Sequence, residues 1–307
     1  MDLQVLRNFL VVVEQGSISN AALLVRLSQP ALSRQLRALE EEFGAELFTR
    51  KRRGVELTAA GETLALQARR ILANVREAQV AIDAVTGKRG GRIALGVPSS
   101  LAGQILPVLI RQAREIMPDV RLAVREGQPD VLCAQVIEGQ LDLAIAQYPS
   151  LLPGLSARPL FSESIVAAGA AGVFEAGTAV TMKQFLQRDC VLAASTGRLR
   201  LMYEKLAVRA GTPASGFVEV DSPSSLVDLI AQGVGVSLVS YTWVHREVIA
   251  GRISIAPIAP VPLRRQVALV SAAARSITPA QAQLADMIAQ FVERHASEFR
   301  WEPIAGD

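Results

Sequence analysis

The first 85 residues alternate apolar stripes at helical spacing with short polar turns. Leu3, Leu6, Leu10 and Val13, with Phe9 beside them, predict a helix with one apolar face that ends at Gly16. Ser17 or Ser19 can cap a second helix, in which the small Ala21 and Ala22 let another helix approach closely. Ser28 is a natural N-cap for a third, with Gln29 and Pro30 in its first turn, where a missing backbone N–H does no harm. Leu32, Leu36, Leu39 and Phe43 form the apolar stripe of that helix, and Pro30, Ser33, Arg34 and Arg37 lie on its other side. Residues 17–37 therefore read as a helix-turn-helix whose second member carries a polar, basic face. Such a face suits a major groove, because Arg pairs bidentately with guanine and Gln with adenine; a merely solvated surface would read the same way.

Past Gly44, Glu46 to Arg50 and Gly54 to Leu57 predict two short strands. Between them Arg50, Lys51, Arg52 and Arg53 make a basic-tipped hairpin, a wing placed to collect phosphates or enter a minor groove. Thr58 can cap a long helix running to about Val85. Within it Leu64, Ala68, Ile71, Val75, Ala78, Ile82 and Val85 alternate spacings of four and three, an a/d seam that two chains can share. A shared seam predicts a dimer and a roughly palindromic DNA site; the same stripe could instead pack on the chain's own C-terminal domain.

Gly87, Gly90 and Gly91, with Lys88 and Arg89, mark a linker, after which the pattern changes to alternating strands and helices. Ile93 to Val97 and Val120 to Val124 are strands around a helix containing Ile105, Leu109 and Ile110. A short helix before Gly139 and a strand from Leu141 to Ala146 complete a βαβαβ unit, which predicts a parallel sheet covered by helices. A second unit has strands near Ser164 to Ala168, Val191 to Ala193, Phe217 to Val220, Val236 to Ser240 and Ile253 to Ile255. The strand Gln266 to Ser271 and a helix from Pro279 to about Phe299 remain to return to the first lobe. The expected fold is an N-terminal all-α winged helix-turn-helix with a long linker helix, followed by a C-terminal α/β two-lobe domain.

The chain has 307 residues, enough for two or three domains, and its net charge of +3 is unevenly placed. Residues 1–92 hold 14 Lys/Arg against 10 Asp/Glu, whereas the remainder carries 18 against 19, so the positive balance lies where phosphates would be met. No apolar run reaches the ~18 residues of a membrane span, and the N-terminus is unlike a secretory signal; a cytoplasmic location with no membrane partner is expected. Cys133 and Cys190 have neither disulfide-framework nor metal-ligand spacing and read as small buried hydrophobes. His245 and His295, the two histidines, are read as surface or capping residues. With no G-x-S-x-G elbow, P-loop or G-x-G-x-x-G after a strand, an enzyme is disfavoured and neither metal nor cofactor is expected.

The N-terminal pattern runs Leu6-Arg7-Asn8-Phe9, Gly16-Ser17, Ala21-Ala22 and Ser28-Gln29-Pro30-Ala31-Leu32-Ser33. It continues through Leu39-Glu40, Leu47-Phe48-Thr49-Arg50 and Leu57-Thr58-Ala59-Ala60-Gly61. In order and spacing it resembles the LysR-type transcriptional regulators. The resemblance implies that Gln29, Pro30, Ser33 and Arg34 face double-stranded DNA and that Arg53 sits in the wing. It also implies a homo-oligomer, dimer to tetramer, that engages RNA polymerase and answers to a small-molecule effector. The implied domains are 1–58 for the winged helix-turn-helix, 59–88 for the linker helix and 89–307 for a periplasmic-binding-protein-like effector domain. Its lobe I spans about 92–161 and 266–307, and its lobe II about 162–265.

In that layout a ligand sits at the carboxyl ends of strands, where helix N-termini supply free N–H groups. Ser99, Ser100 and Leu101 occupy that place in the first lobe, and Ser195 and Thr196 in the second; Gln128 and Gln147 follow strands and reach the same space. Val234-Gly235-Val236 resembles the family's glycine-flanked cleft strand, though a buried strand would read the same way. A small carboxylate is the expected effector. Gln147 stands where many relatives place a cation, which leaves room for a neutral or weakly acidic molecule. Each Ser or Thr here would serve equally as a plain helix cap.

Overall fold

The computed structural model describes residues 2–52, 54–85, 91–148, 153–193, 198–211, 217–220 and 222–304. Two compact units divide the chain, the second beginning at Gly91.

The N-terminal unit opens with α1 (Leu3–Gln15), α2 (Ile18–Val25) and α3 (Gln29–Phe43). Each begins at a side-chain cap: Asp2 accepts from Gln4 N, Ser17 from Asn20 N, and Ser28 from Ala31 N. α1 and α3 stop at left-handed glycines, Gly16 and Gly44, whereas α2 stops at Arg26 with φ 57°, a conformation that costs an L-residue ~1 kcal/mol. Strands β1 (Phe48–Lys51) and β2 (Gly54–Leu57) pair antiparallel as the wing, and α4 (Ala59–Val85) follows, Thr58 Oγ1 accepting from Gly61 N.

Leu6, Phe9, Ala21, Leu32, Leu36 and Leu39 form the centre of this unit's core, joined by Leu47 from the approach to the wing. Leu64, Ala65 and Ala68 of α4 are buried in the same cluster, with Ile71 packed against it. Three of the seven expected seam positions, Leu64, Ala68 and Ile71, are thus spent inside the chain's own head, because a stripe at three-four spacing buries itself against whatever apolar surface is nearest. Phe43 departs from its stripe: it is 47% exposed in the last turn of α3, beyond the reach of the core.

The second unit holds the expected βαβαβ lobe: β3 (Gly91–Pro98), α5 (Ser99–Ile116), β4 (Val120–Gly127), α6 (Pro129–Ile137) and β5 (Leu143–Tyr148). β3 pairs parallel with both β4 and β5. The chain then enters β6 (Leu155–Ala170), a 16-residue strand of which the sequence pattern predicted only the second half. The other lobe contains β7 (Val180–Thr181), α7 (Met182–Leu186), β8 (Cys190–Ala193), α8 (Arg198–Ala210), β9 (Phe217–Val220) and α9 (Pro223–Ala231). It continues with β10 (Ser237–Ser240), α10 (Tyr241–Ile249) and β11 (Ile253–Ala259). β12 (Leu263–Ala272) and α11 (Pro279–Phe299) return to lobe I, and β13 (Glu302–Pro303) adds to β6.

β6 joins the lobes physically. Its residues 155–165 pair with β12, and its residues 165–170 with β10 and β11, all antiparallel. Separate cores lie on either side of this crossing, one around Leu95, Leu109, Leu284 and Phe291, another around Phe185, Tyr203, Leu238 and Ala256.

Candidate nucleic-acid interface and ligand site

In the N-terminal unit, the apolar face of α3 is fixed in the core by Leu32, Leu36 and Leu39, which leaves Gln29, Pro30, Arg34 and Arg37 exposed and Ser33 half-buried. Gln35, between the two faces, accepts from Asn8 Nδ2 of α1 at 2.8 Å. The wing is held to the same helix: Glu40 Oε1 accepts from the amides of Leu47 at 2.8 Å and Phe48 at 3.3 Å. Phe48 also meets the Phe9 ring, centroids 5.3 Å apart.

Two glycines set the wing's remaining contact. Val55 N donates to Gly16 O at 2.8 Å, and a Cβ on Gly54, which has φ +102°, would lie 2.1 Å from that oxygen. Arg50, Lys51 and Arg52 are exposed, Lys51 pairing with Glu56 at 3.2 Å. Arg53 lies outside the described residues. The basic wing and the polar face of α3 are therefore parts of one rigid head, the arrangement needed to place phosphate contacts and base contacts in register.

Along the rest of α4, Val75 is 36% and Ile82 57% exposed, and Ala78 is exposed too; the side chain of Val85 is not described.

In the second unit the most concentrated chemistry lies where the strands cross between lobes. Glu163 of β6 and Arg265 of β12 are register partners. Glu163 is fully buried and the Arg265 side chain is 15% exposed. Arg265 Nε donates to Glu163 Oε1 at 2.6 Å, and its Nη2 lies 2.5 Å from the same oxygen. Thr242 Oγ1 donates to Glu163 Oε2 at 2.5 Å, and Trp301 Nε1 donates to Thr242 Oγ1 at 2.7 Å. A buried carboxylate is tolerable only with its oxygens satisfied in this way.

The network reaches both lobes. Arg265 Nη2 donates to Ser100 Oγ, in the first turn of α5, at 3.3 Å, and to Ser240 Oγ, the N-cap of α10, at 3.2 Å. Each of these helices follows directly on a strand, β3 into α5 and β10 into α10, and neither has a side-chain cap bond. Gln104 Nε2 donates to Thr242 O at 3.4 Å and Arg246 Nη2 to Gly103 O at 2.7 Å, further ties between α5 and α10.

The expected ligand residues divide accordingly. Ser99 and Ser100 are half-buried at the start of α5, next to this network. Leu101 is 3% exposed and packs in the lobe I core, so its side chain is not presented to a ligand. Gln147 lies on β5 opposite Val267, and Gln128 is exposed before α6. Val234 is exposed in the turn before β10 rather than within a buried strand. Ser195 and Thr196 lie outside the described residues.

The sequence pattern does not single out Glu163, Arg265, Ser240, Thr242 or Trp301. The available signal was the alternation Phe161-Ser162-Glu163-Ser164-Ile165, which puts a charge at an inward position.

His245 is 6% exposed, contrary to a surface reading: it packs edge-on against Phe299 at 4.8 Å. His295 stacks on Phe291. Cys133 and Cys190 are both buried, and burial pushes the Cys190 thiol up, away from the thiolate. Among the described residues no cluster of His, Cys, Asp and Glu could hold a metal, and no helix is long and apolar enough to cross a membrane.

Known proteins match both units. The family described as bacterial regulatory helix-turn-helix protein, lysR family, matches residues 3–62, and the LysR substrate binding domain matches residues 86–293. A probable hydrogen peroxide-inducible genes activator of Streptomyces viridosporus is 33% identical over 282 residues, 88% of each chain. The nitrogen assimilation regulatory protein nac of Escherichia coli (strain K12) is 30% identical over 239 residues, 78% of each chain. A full-length OxyR variant from Pseudomonas aeruginosa has the same fold, with a TM-score of 0.71 at 23% identity over 100% of this chain and 99% of that one. CbnR complexed with its target DNA gives 0.65 at 22% identity over 94% and 99%.

Proposed function

Because the chain belongs to the LysR family of DNA-binding transcriptional regulators, we propose that Gln29, Pro30, Ser33, Arg34 and Arg37 read an operator from the major groove while Arg50, Lys51, Arg52 and Arg53 hold the flanking backbone. The observation that carries this reading is the exposed polar face of α3, fastened to the basic wing through Glu40. Regulation is by a small-molecule effector, as in the family. Its site in this chain is the lobe crossing, with Ser99 and Ser100 at the start of α5 and Gln128 and Gln147 at the rim. Two heads are joined through Val75, Ala78 and Ile82 of α4, giving a dimer on a roughly palindromic site and, by further association, a tetramer that meets RNA polymerase. A ligand that changes the angle between lobes then changes the spacing of the heads on DNA.

Arg34→Ala tests the reading. Removing a bidentate base contact should weaken operator binding by ~1–3 kcal/mol and relax preference at one base pair. Unchanged affinity and specificity in a footprinting titration would remove Arg34 from the reading face.

A further inference from the structure

We propose that lobe I carries a second small-molecule site, separate from the lobe crossing, and that it takes a neutral single-ring alcohol or phenol.

The site is an open groove of about 320 Å³ between the first turns of α11 and the strands β5, β6 and β12. That volume stands at the lower end of the ~300–1,000 Å³ of small-molecule pockets, room for one ring and its substituent. The groove lies at the opposite end of α11 from Trp301 and the Glu163–Arg265 pair, roughly 20 Å along the helix at ~1.5 Å of rise per residue.

Its walls are apolar, with Leu143 and Leu269 on the sheet and Ala282 and Ala285 on the helix. The strand register creates one polar corner. Ser271 of β12 and Ser156 of β6 stand opposite each other, so both side chains emerge on the same face of the sheet, and both line the groove. Ser271 is 9% exposed, and its hydroxyl has no hydrogen-bond partner among the described residues. A buried hydroxyl left unpaired is costly, and a ligand group that both donates and accepts, itself a hydroxyl, satisfies it.

The charges at the groove decide the ligand's own charge. Arg158 comes from the sheet wall and Asp286 from the helix wall, and Arg158 Nη1 lies 2.6 Å from Asp286 Oδ1. Each ion is matched by the other, so an anionic ligand would have to displace Asp286 and a cationic one Arg158. A neutral molecule leaves the pair intact, with its ring against the leucines and alanines and its hydroxyl between the serines.

The full-length protein would be titrated with phenol, toluene and benzoate at neutral pH, with saturation-transfer NMR of the ligand as the readout. Phenol should bind with a Kd of ~1 mM or tighter, and benzoate should not displace it. Ser271→Ala should weaken phenol roughly three- to tenfold, the worth of one neutral hydrogen bond, and leave toluene unchanged. That split separates a ligand-binding hydroxyl from one that merely fills space. Ala282→Phe, at an exposed helix position, puts a ring into the groove and should abolish phenol binding with the melting temperature retained.

The inference is overturned if phenol does not bind the wild type, if benzoate displaces it, if Ser271→Ala changes phenol and toluene alike or neither, or if Ala282→Phe binds phenol as the wild type does. A change of oligomeric state in Ala282→Phe, read by sedimentation, would make a second copy of the chain the occupant of the groove and equally remove the small molecule.

Discussion

Replacing Glu40 with alanine should loosen the wing while leaving the reading face of α3 in place. The side chain supplies one oxygen to two backbone donors, Leu47 N at 2.8 Å and Phe48 N at 3.3 Å. Leu47 is 2% exposed, so its amide regains a water partner only if the chain lifts away from α3. A hydrogen bond to a charged group contributes ~1.5–3 kcal/mol, and the longer second bond contributes less, for a local cost of about 2–3 kcal/mol. At tenfold per ~1.4 kcal/mol, amides of residues 45–57 should exchange roughly 30- to 150-fold faster in full-length protein, read by hydrogen-exchange mass spectrometry. Glu40→Gln keeps an acceptor oxygen and should lie between. Glu41, the exposed neighbour, provides the control. If Glu40→Ala exchanged within threefold of Glu41→Ala, the carboxylate would not be holding the wing, and the Gly16–Val55 bond with the Phe9–Phe48 contact would have to suffice.

Two further outcomes follow from the same head. Changing Lys51 and Arg52 to alanine should make the slope of log affinity against log salt shallower by roughly 0.9 for each phosphate no longer neutralised, with base preference unchanged; an unaltered slope would take the wing off the backbone. Val75→Asp combined with Ile82→Asp should yield monomers in sedimentation with the head's own melting preserved, since both positions are exposed; intact dimers would move the interface elsewhere.

Elements whose ends are written locally were legible from the residues. Caps at Ser17, Ser28 and Thr58, stops at Gly16 and Gly44, and the start of α11 at Pro279 all match the pattern. Legibility failed where the partner is remote. The residue pattern predicts no strand in the first half of β6, which contains Arg158 and Pro159, yet it is a strand because β12, over 100 residues away, supplies its ladder. The alternation marks Glu163 as inward, but nothing local to it names Arg265 as its partner; only the β6–β12 register sets the two face to face. Leu64 and Ala68 show the opposite limit: their spacing is right for a coiled coil and equally right for a core, and only the fold decides between them.

The burial of Leu64, Ala65 and Ala68 also bears on how such regulators can be recombined. The wing's last strand ends at Leu57, an inviting place to cut, but Gly61 sits so close to the Leu47 carbonyl that a Cβ there would approach it to 2.1 Å. A graft severed at the start of α4 would carry an open core and an unsupported wing. The transplantable unit ends three turns into the long helix, so a chimera that exchanges sensors among operators has its seam in mid-helix, with the heptad phase carried across the splice.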